Sequence, residues 1–161
     1  MCKFYSAIIT PTGEVLHDVH TTSHEDLVTL FNLNDEKPGR FARLEYTGED
    51  LTDIKTYQLK VDEDERPGWL TDAMLEKAEA KLHQIVKKRI ITGEVELLIG
   101  GVYITAGGAK INIAKECRII EHRGTVQEVR DGGTVQRVMD GGTVQEVWNG
   151  GKIINDYRTK P

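Results

Sequence analysis

The chain has 161 residues, 29% of them charged and 39% hydrophobic, a globular balance rather than a disordered one. Its 26 acids against 21 bases give a net charge of -5, which argues against a sequence-independent grip on DNA or RNA. Two cysteines exclude a disulfide-rich scaffold, and no apolar run is long enough to span a bilayer.

Lys3-Phe4-Tyr5-Ser6-Ala7-Ile8-Ile9 predicts a first strand rather than a signal peptide, because Pro11 and Glu14 follow its short apolar run at once. Pro11-Thr12-Gly13 supplies a turn, and Glu14-Val15-Leu16 starts the return strand. Ser23 then caps a short helix, with Asp26 three residues on and Leu27, Val28, Leu30 and Phe31 as its apolar face. Phe41 to Tyr46 and Thr56 to Val61 alternate apolar and polar residues, the pattern of half-buried strands. The acidic turn Asp62-Glu63-Asp64-Glu65 and Arg66-Pro67-Gly68 lead into the longest helix, Thr71 to about Ile90. Its apolar stripe is Met74, Leu75, Ala78, Leu82, Ile85, Val86 and Ile90, and Lys87, Lys88 and Arg89 complement the dipole at its end.

Charge and glycine content change near Thr92-Gly93. Residues 1–92 hold 17 acids and 12 bases, whereas residues 93–161 hold nine of each and most of the 16 glycines. The expected organisation is a small α+β domain over 1–92, ending in the long helix, and a different body over 93–161.

That body carries a repeat. From Gly124 the sequence reads GTVQEVRDG, GTVQRVMDG and GTVQEVWNG over 124–132, 133–141 and 142–150, then a degenerate GKIINDYRT over 151–159. Recurrence at nine residues implies units that stack on their neighbours. Nine residues are few for one full coil, so two per turn, eighteen residues, predicts a short parallel β-roll or β-solenoid. Val126, Val135 and Val144 face inward, while the Thr and Gln beside them face out in polar ladders. A bend must follow, so that Val129, Val138 and Val147 also face the core. The Asp-Gly-Gly and Asn-Gly-Gly steps make corners, where Gly supplies positive φ. Gly100-Gly101 and Gly107-Gly108 mark earlier rungs. Cys117 and Ile120 take the phase of Val126 and Val129 in one degenerate rung, with His122-Arg123 in place of Asp-Gly. Asp156 replaces the inward Val of the last repeat.

Few residues point to chemistry. The repeat lacks the GGxGxD pattern of calcium-binding nonapeptide rolls: aligned on its Gly-Gly pair it reads GGTVQE or GGTVQR, with Val in place of the third Gly and Glu or Arg in place of the Asp. His17, His20 and His24 have zinc-compatible spacing but no cysteine beside them, so exposed or cap-adjacent histidines are the simpler reading. Cys117 reads as a buried core thiol. No phosphate loop, zinc-protease helix or nucleophile elbow occurs, so no catalytic, cofactor or metal residue is assigned and no enzyme activity is expected. The seventh repeat position, Arg130, Met139, Trp148 and Tyr157, offers a candidate interaction surface together with Asp156. Lys87, Lys88, Arg89 and Lys110 are weaker candidate contacts for a small anionic ligand.

The segments KFYSAIITPTGEVL, SHEDLVTLFNLND, FARLEYT and KVDEDERPGW resemble small uncharacterised proteins encoded by bacteria and their prophages, in which an α+β head precedes other modules. The GGTVQ-V-DGG repeat is similar to nonapeptide rolls appended in that setting. The resemblance implies a cytoplasmic protein without catalytic residues that binds or inhibits a host protein. A homodimer through the open roll end is one expected assembly. A small-molecule or nucleotide-binding protein and an acidic nucleic-acid mimic are the alternatives.

Overall fold

The computed structural model describes residues 4–34 and 39–157 and separates into two units, Met1–Lys87 and Lys88–Pro161. The separation lies before the Thr92-Gly93 step at which charge and glycine content change.

The first unit is built on a four-stranded antiparallel sheet. Strands β1 (Ser6–Ile9) and β2 (Val15–Leu16) form a hairpin, with Ile9 opposite Val15. Its turn is closed by Gly13 N–H on the Thr10 carbonyl at 2.9 Å, and Gly13 takes φ 83°. Helix α1 (His24–Leu30) starts where Ser23 Oγ accepts the Asp26 N–H, which satisfies one of the free amides of its first turn. Strand β3 (Ala42–Thr47) pairs with β1, and β4 (Gln58–Val61) pairs with β3, so the sheet order is β2-β1-β3-β4. Ile8, Leu27 and Phe41 form the core under α1.

Helix α2 (Asp72–Lys87) buries Ala78, Leu82 and Val86, and Tyr46 of β3 shares a hydrogen bond with its His83 at 2.9 Å. Burial, with the nearby Glu79, holds the Tyr46 hydroxyl above its ordinary pKa. The helix stops at Lys87 rather than near Ile90. Ile90 and Ile91 form strand β5 instead, paired with Ile104 and Thr105. Two successive β-branched residues fit a strand better than a helix end, and the ladder supplies their backbone with partners.

The second unit is a β-solenoid of about four turns. After β5 (Ile90–Ile91) come β6 (Glu94–Ile99), β7 (Val102–Thr105), β8 (Lys110–Lys115) and β9 (Arg118–His122). The clean repeats supply β10 (Thr125–Arg130), β11 (Thr134–Val138) and β12 (Thr143–Val147), and β13 (Lys152–Asp156) closes the series. Successive strands alternate between two parallel sheets, ordered β12-β10-β8-β6 and β13-β11-β9-β7-β5. The bend required by the Val spacing is present: Val126 pairs with Val144 and Val129 with Val147, while Gln127 and Gln145 are skipped by the ladder. Val126, Val129, Val135 and Val138 are all fully buried.

The turn length is not eighteen throughout. Thr125 pairs with Thr143 and Thr134 with Lys152, eighteen residues on, but Lys110 pairs with Thr125 and Arg118 with Thr134, fifteen and sixteen on. The mean spacing is about sixteen. The shorter turns use two-residue corners, Glu116-Cys117 and Arg123-Gly124, where the later turns use Asp-Gly-Gly or Asn-Gly-Gly. This shortening also corrects the phase of the degenerate rung. Ile119 and His122, not Cys117 and Ile120, stand in the columns of Val135 and Val138. Cys117 is buried at the corner beside them.

The Gly-Gly corners divide their work. Gly132, Gly141 and Gly150 take φ between 79° and 86°, a region where an L side chain is strained. Gly133, Gly142 and Gly151 have no room for a side chain, because a Cβ would lie 2.3 to 2.6 Å from the carbonyl oxygen of Ala114, His122 or Val129.

Candidate functional site

The C-terminal end of the solenoid differs from its interior in ways that follow from its sequence. Among the described residues, β12 and β13 each have a strand neighbour on one side only. The other edge presents backbone N–H and C=O groups without a ladder partner, the feature that makes strand edges bind other strands.

The core columns also reach this end incompletely covered. Val144 and Ile153 are half-buried against the columns below, and Val147 is 47% exposed where Val129 and Val138 show no exposed surface. Trp148, Ile154 and Tyr157 are 53%, 58% and 57% exposed. Asp156 occupies the column of Val138 and is exposed. Interior rungs fill that column with the fully buried side chains of Thr105, His122 and Val138. A carboxylate there fits an end in contact with water or polar groups.

The candidate interaction residues sort into two corners. The Arg130 guanidinium lies 5.4 Å from the centre of the Trp148 ring and is ion-paired with Glu128. Trp148 N–H donates to Val129 O at 2.9 Å, which stacks it beside Arg130. At the other corner Met139 N–H donates to His122 O, and Tyr157 N–H donates to Val138 O at 2.8 Å, so Tyr157 sits one rung above Met139. Both aromatic residues therefore belong to the last described turn, at opposite corners of it.

A polar group missed at the sequence level supports this rung from within. His122 is fully buried in the Val138 column. Its Nε2–H donates to the Thr143 carbonyl at 2.9 Å, and its Nδ1 lies 2.5 Å from Thr105 Oγ1. The imidazole thus links three rungs, from β7 through β9 to the first residue of β12. A shift in core phase, visible only once the corner length is known, is what hid it.

The weak ligand candidates do not share a site. Arg89 lies over the Tyr103 ring at 5.1 Å, in the sheet that holds β7. Lys110 belongs to the other sheet and is ion-paired with Glu94 at 3.0 Å, at the side of an open depression of about 450 Å³ with Asn112, Thr125 and Gln127. Lys87 ends α2 and Lys88 follows it. The histidines also part ways. His17 meets the Tyr5 hydroxyl, His20 donates its N–H to Asp18, and His24 is buried with Nε2–H on the Leu44 carbonyl and Nδ1 3.3 Å from Asp62. No group of three His, Cys, Asp or Glu side chains among the described residues is arranged to hold a metal ion.

Cys117 is a free, buried thiol whose pKa is pushed up to about 11 by desolvation, against a smaller opposing hydrogen bond to Lys115 backbone. A thiol held neutral in this way is a poor nucleophile. Cys2 lies outside the described residues. The acidic run is partly engaged within its own unit: Glu63 accepts from Arg43, and Asp62 faces His24. No helix among the described residues is long and apolar enough to cross a membrane. Compared with family models, curated proteins and solved structures, the chain has no match.

Proposed function

We propose that the chain is a non-catalytic binding protein that recognises a polypeptide through the C-terminal end of its solenoid. The observation that carries this reading is the coincidence, at one end, of two one-sided strands with Val147, Trp148, Ile154 and Tyr157 about half exposed. Strand edges bind by main-chain hydrogen bonds, and neighbouring apolar side chains add area and selectivity. Aromatic side chains of this kind dominate the energetics of protein interfaces.

Action in the cytoplasm on a host protein, in a bacterial or prophage setting, belongs to the same proposal and rests on the sequence resemblance. So do the first unit as an α+β head and the nine-residue unit as the building block of the last turns. The starts of β10, β11, β12 and β13 at intervals of nine residues support the latter. Small-molecule binding at Lys110 is the weaker reading, since its ammonium already has Glu94 as partner. A nucleic-acid mimic is weakened in the same way by the internal partners of Asp62 and Glu63.

Site-specific photo-crosslinking in the expressing cell tests the reading. A crosslinker in place of Tyr157 or Trp148 should give adducts with polypeptide, whereas one in place of exposed Glu25 should not. Equal adducts at all three positions, or none at the two aromatic positions, would refute it.

A further inference from the structure

We infer that Asn149-Gly150 is a site of spontaneous deamidation, and that its isoaspartyl product unseats the last described rung of the solenoid. The inference does not depend on what binds at this end.

Asn149 is the one asparagine that precedes a glycine; Asn32, Asn34, Asn112 and Asn155 precede Leu33, Asp35, Ile113 and Asp156. Asparagine is a thermolabile residue, and its deamidation needs a backbone N–H on the next residue that is free to lose its proton. It also needs a carboxamide that can reach that nitrogen, and a next residue with no side chain in the way.

Gly150 meets these needs because of where its corner stands in the stack. On this side of the solenoid each corner hands an N–H to the corner one rung on. Glu116 N–H donates to Asp131 O at 3.1 Å, and Gly132 N–H donates to Gly150 O at 2.9 Å. Among the described residues no further corner follows, and Gly150 N–H has no acceptor. Its own turn does not use it, since the closing bond runs from Gly151 N–H to Trp148 O at 2.9 Å. Asn149 and Gly150 are both exposed. The corner one rung below, Asp131-Gly132, differs in both respects that matter. Its glycine N–H is occupied, and its side chain is a carboxylate, whose charge resists a nucleophile.

The step balances with water alone. Base removes the Gly150 amide proton, and the nitrogen attacks Asn149 Cγ. The N–Cγ bond forms, the Cγ–Nδ2 bond breaks, and Nδ2 leaves with a proton as ammonia. Water then opens the cyclic imide. Cleavage of the new bond gives an aspartyl residue. Cleavage of the original peptide bond leaves the main chain running through Cβ and Cγ, one carbon longer.

The two products differ in consequence. The aspartyl product gives this corner the residue type of Asp131 and Asp140. The isoaspartyl product does not fit. A Cβ on Gly151 would already lie 2.3 Å from Val129 O, and Gly150 O is held by Gly132 N–H, so the corner has no slack for an added backbone carbon. The lengthened chain gives up the bonds from Gly132 to Gly150 and from Gly151 to Trp148, and with them the register of β13 on β11.

Incubation of the full chain at neutral pH and physiological temperature, followed by peptide mapping, tests both parts. The peptide holding residues 149 and 150 should gain about 1 Da, faster as pH rises, at a rate within about tenfold of that in urea. Asn149→Asp and the peptides holding the other asparagines should show no such gain over the same period. Labelling by an isoaspartyl methyltransferase identifies the lengthened product. Once separated, that product should lose amide protection at 152–156, while Asn149→Asp keeps the protection of the parent. A folded rate slower than about a tenth of the unfolded one, equal deamidation at another asparagine, or isoaspartyl protein with the parent's protection at β13 would each overturn the inference.

Discussion

Gly141 and Gly142 sit side by side in one corner, and the structure assigns them different roles. Gly141 needs its positive φ of 82°, but the nearest atom to an added Cβ is Arg123 O at 3.9 Å, an ordinary contact. Gly141→Ala should therefore cost only the strain of a left-handed residue, about 1–2 kcal/mol. At Gly142 an added Cβ would lie 2.5 Å from His122 O and 3.0 Å from Met139 O. Relief to van der Waals distance needs a shift of roughly 0.9 Å between rungs. That shift pulls on the hydrogen bonds Gly142 N–H to Met139 O and Met139 N–H to His122 O, both 2.9 Å. Disrupting both of these at about 1–3 kcal/mol each gives about 2–6 kcal/mol for Gly142→Ala. Urea unfolding followed by Trp148 fluorescence, in a Trp69→Phe background, reports on the solenoid alone. Equal costs for the two substitutions, or a larger one for Gly141→Ala, would refute the close-approach argument.

Three further outcomes follow from the same packing. His122→Leu should cost about 2–4 kcal/mol in urea unfolding because Thr105 Oγ1 and the Thr143 carbonyl lose their partner, and adding Thr105→Val should recover part of that loss. Val138→Ala, at a fully buried position, should cost about 2–3 kcal/mol, whereas Val147→Ala, half exposed, should cost under about 1 kcal/mol in the same assay. In a Cys2→Ser background, Cys117 should resist alkylation in the folded chain at pH 8 and react fully in denaturant. Its folded pKa lies above the ordinary 9.0, at about 11, so the folded state holds the proton more tightly; the associated stability is full below pH 9 and falls as pH rises toward 11. Native-state labelling as fast as in denaturant would contradict this burial.

The solenoid was legible in the sequence because its corners demand a residue type. A glycine pair every nine residues leaves little architectural choice, and the Val spacing of three required a bend that the skipped Gln127 and Gln145 provide. The degenerate rungs were less legible. Once Asp-Gly-Gly shrinks to Glu116-Cys117 or Arg123-Gly124, the core phase shifts, and no local signal in the strands records the shift. His122 looked like a corner residue for that reason and is a core residue. The end of α2 was misread because Ile90 continues the helical stripe, and only the ladder to β7 reveals its strand role. The candidate surface was partly legible. Arg130, Met139, Trp148 and Tyr157 could be placed on corners by period, but the cation–π stacking of Arg130 on Trp148 depends on rung geometry.

The central claim is that the backbone edges of β12 and β13 form the binding surface. Hydrogen–deuterium exchange, measured by peptide across the chain in dilute protein, addresses it most directly. The account predicts that amides of residues 143–147 and 152–156, in strands with a neighbour on one side only, exchange faster than those of β8 and β9, which are paired on both sides. Protection at β12 and β13 equal to that of β8 and β9 would contradict it.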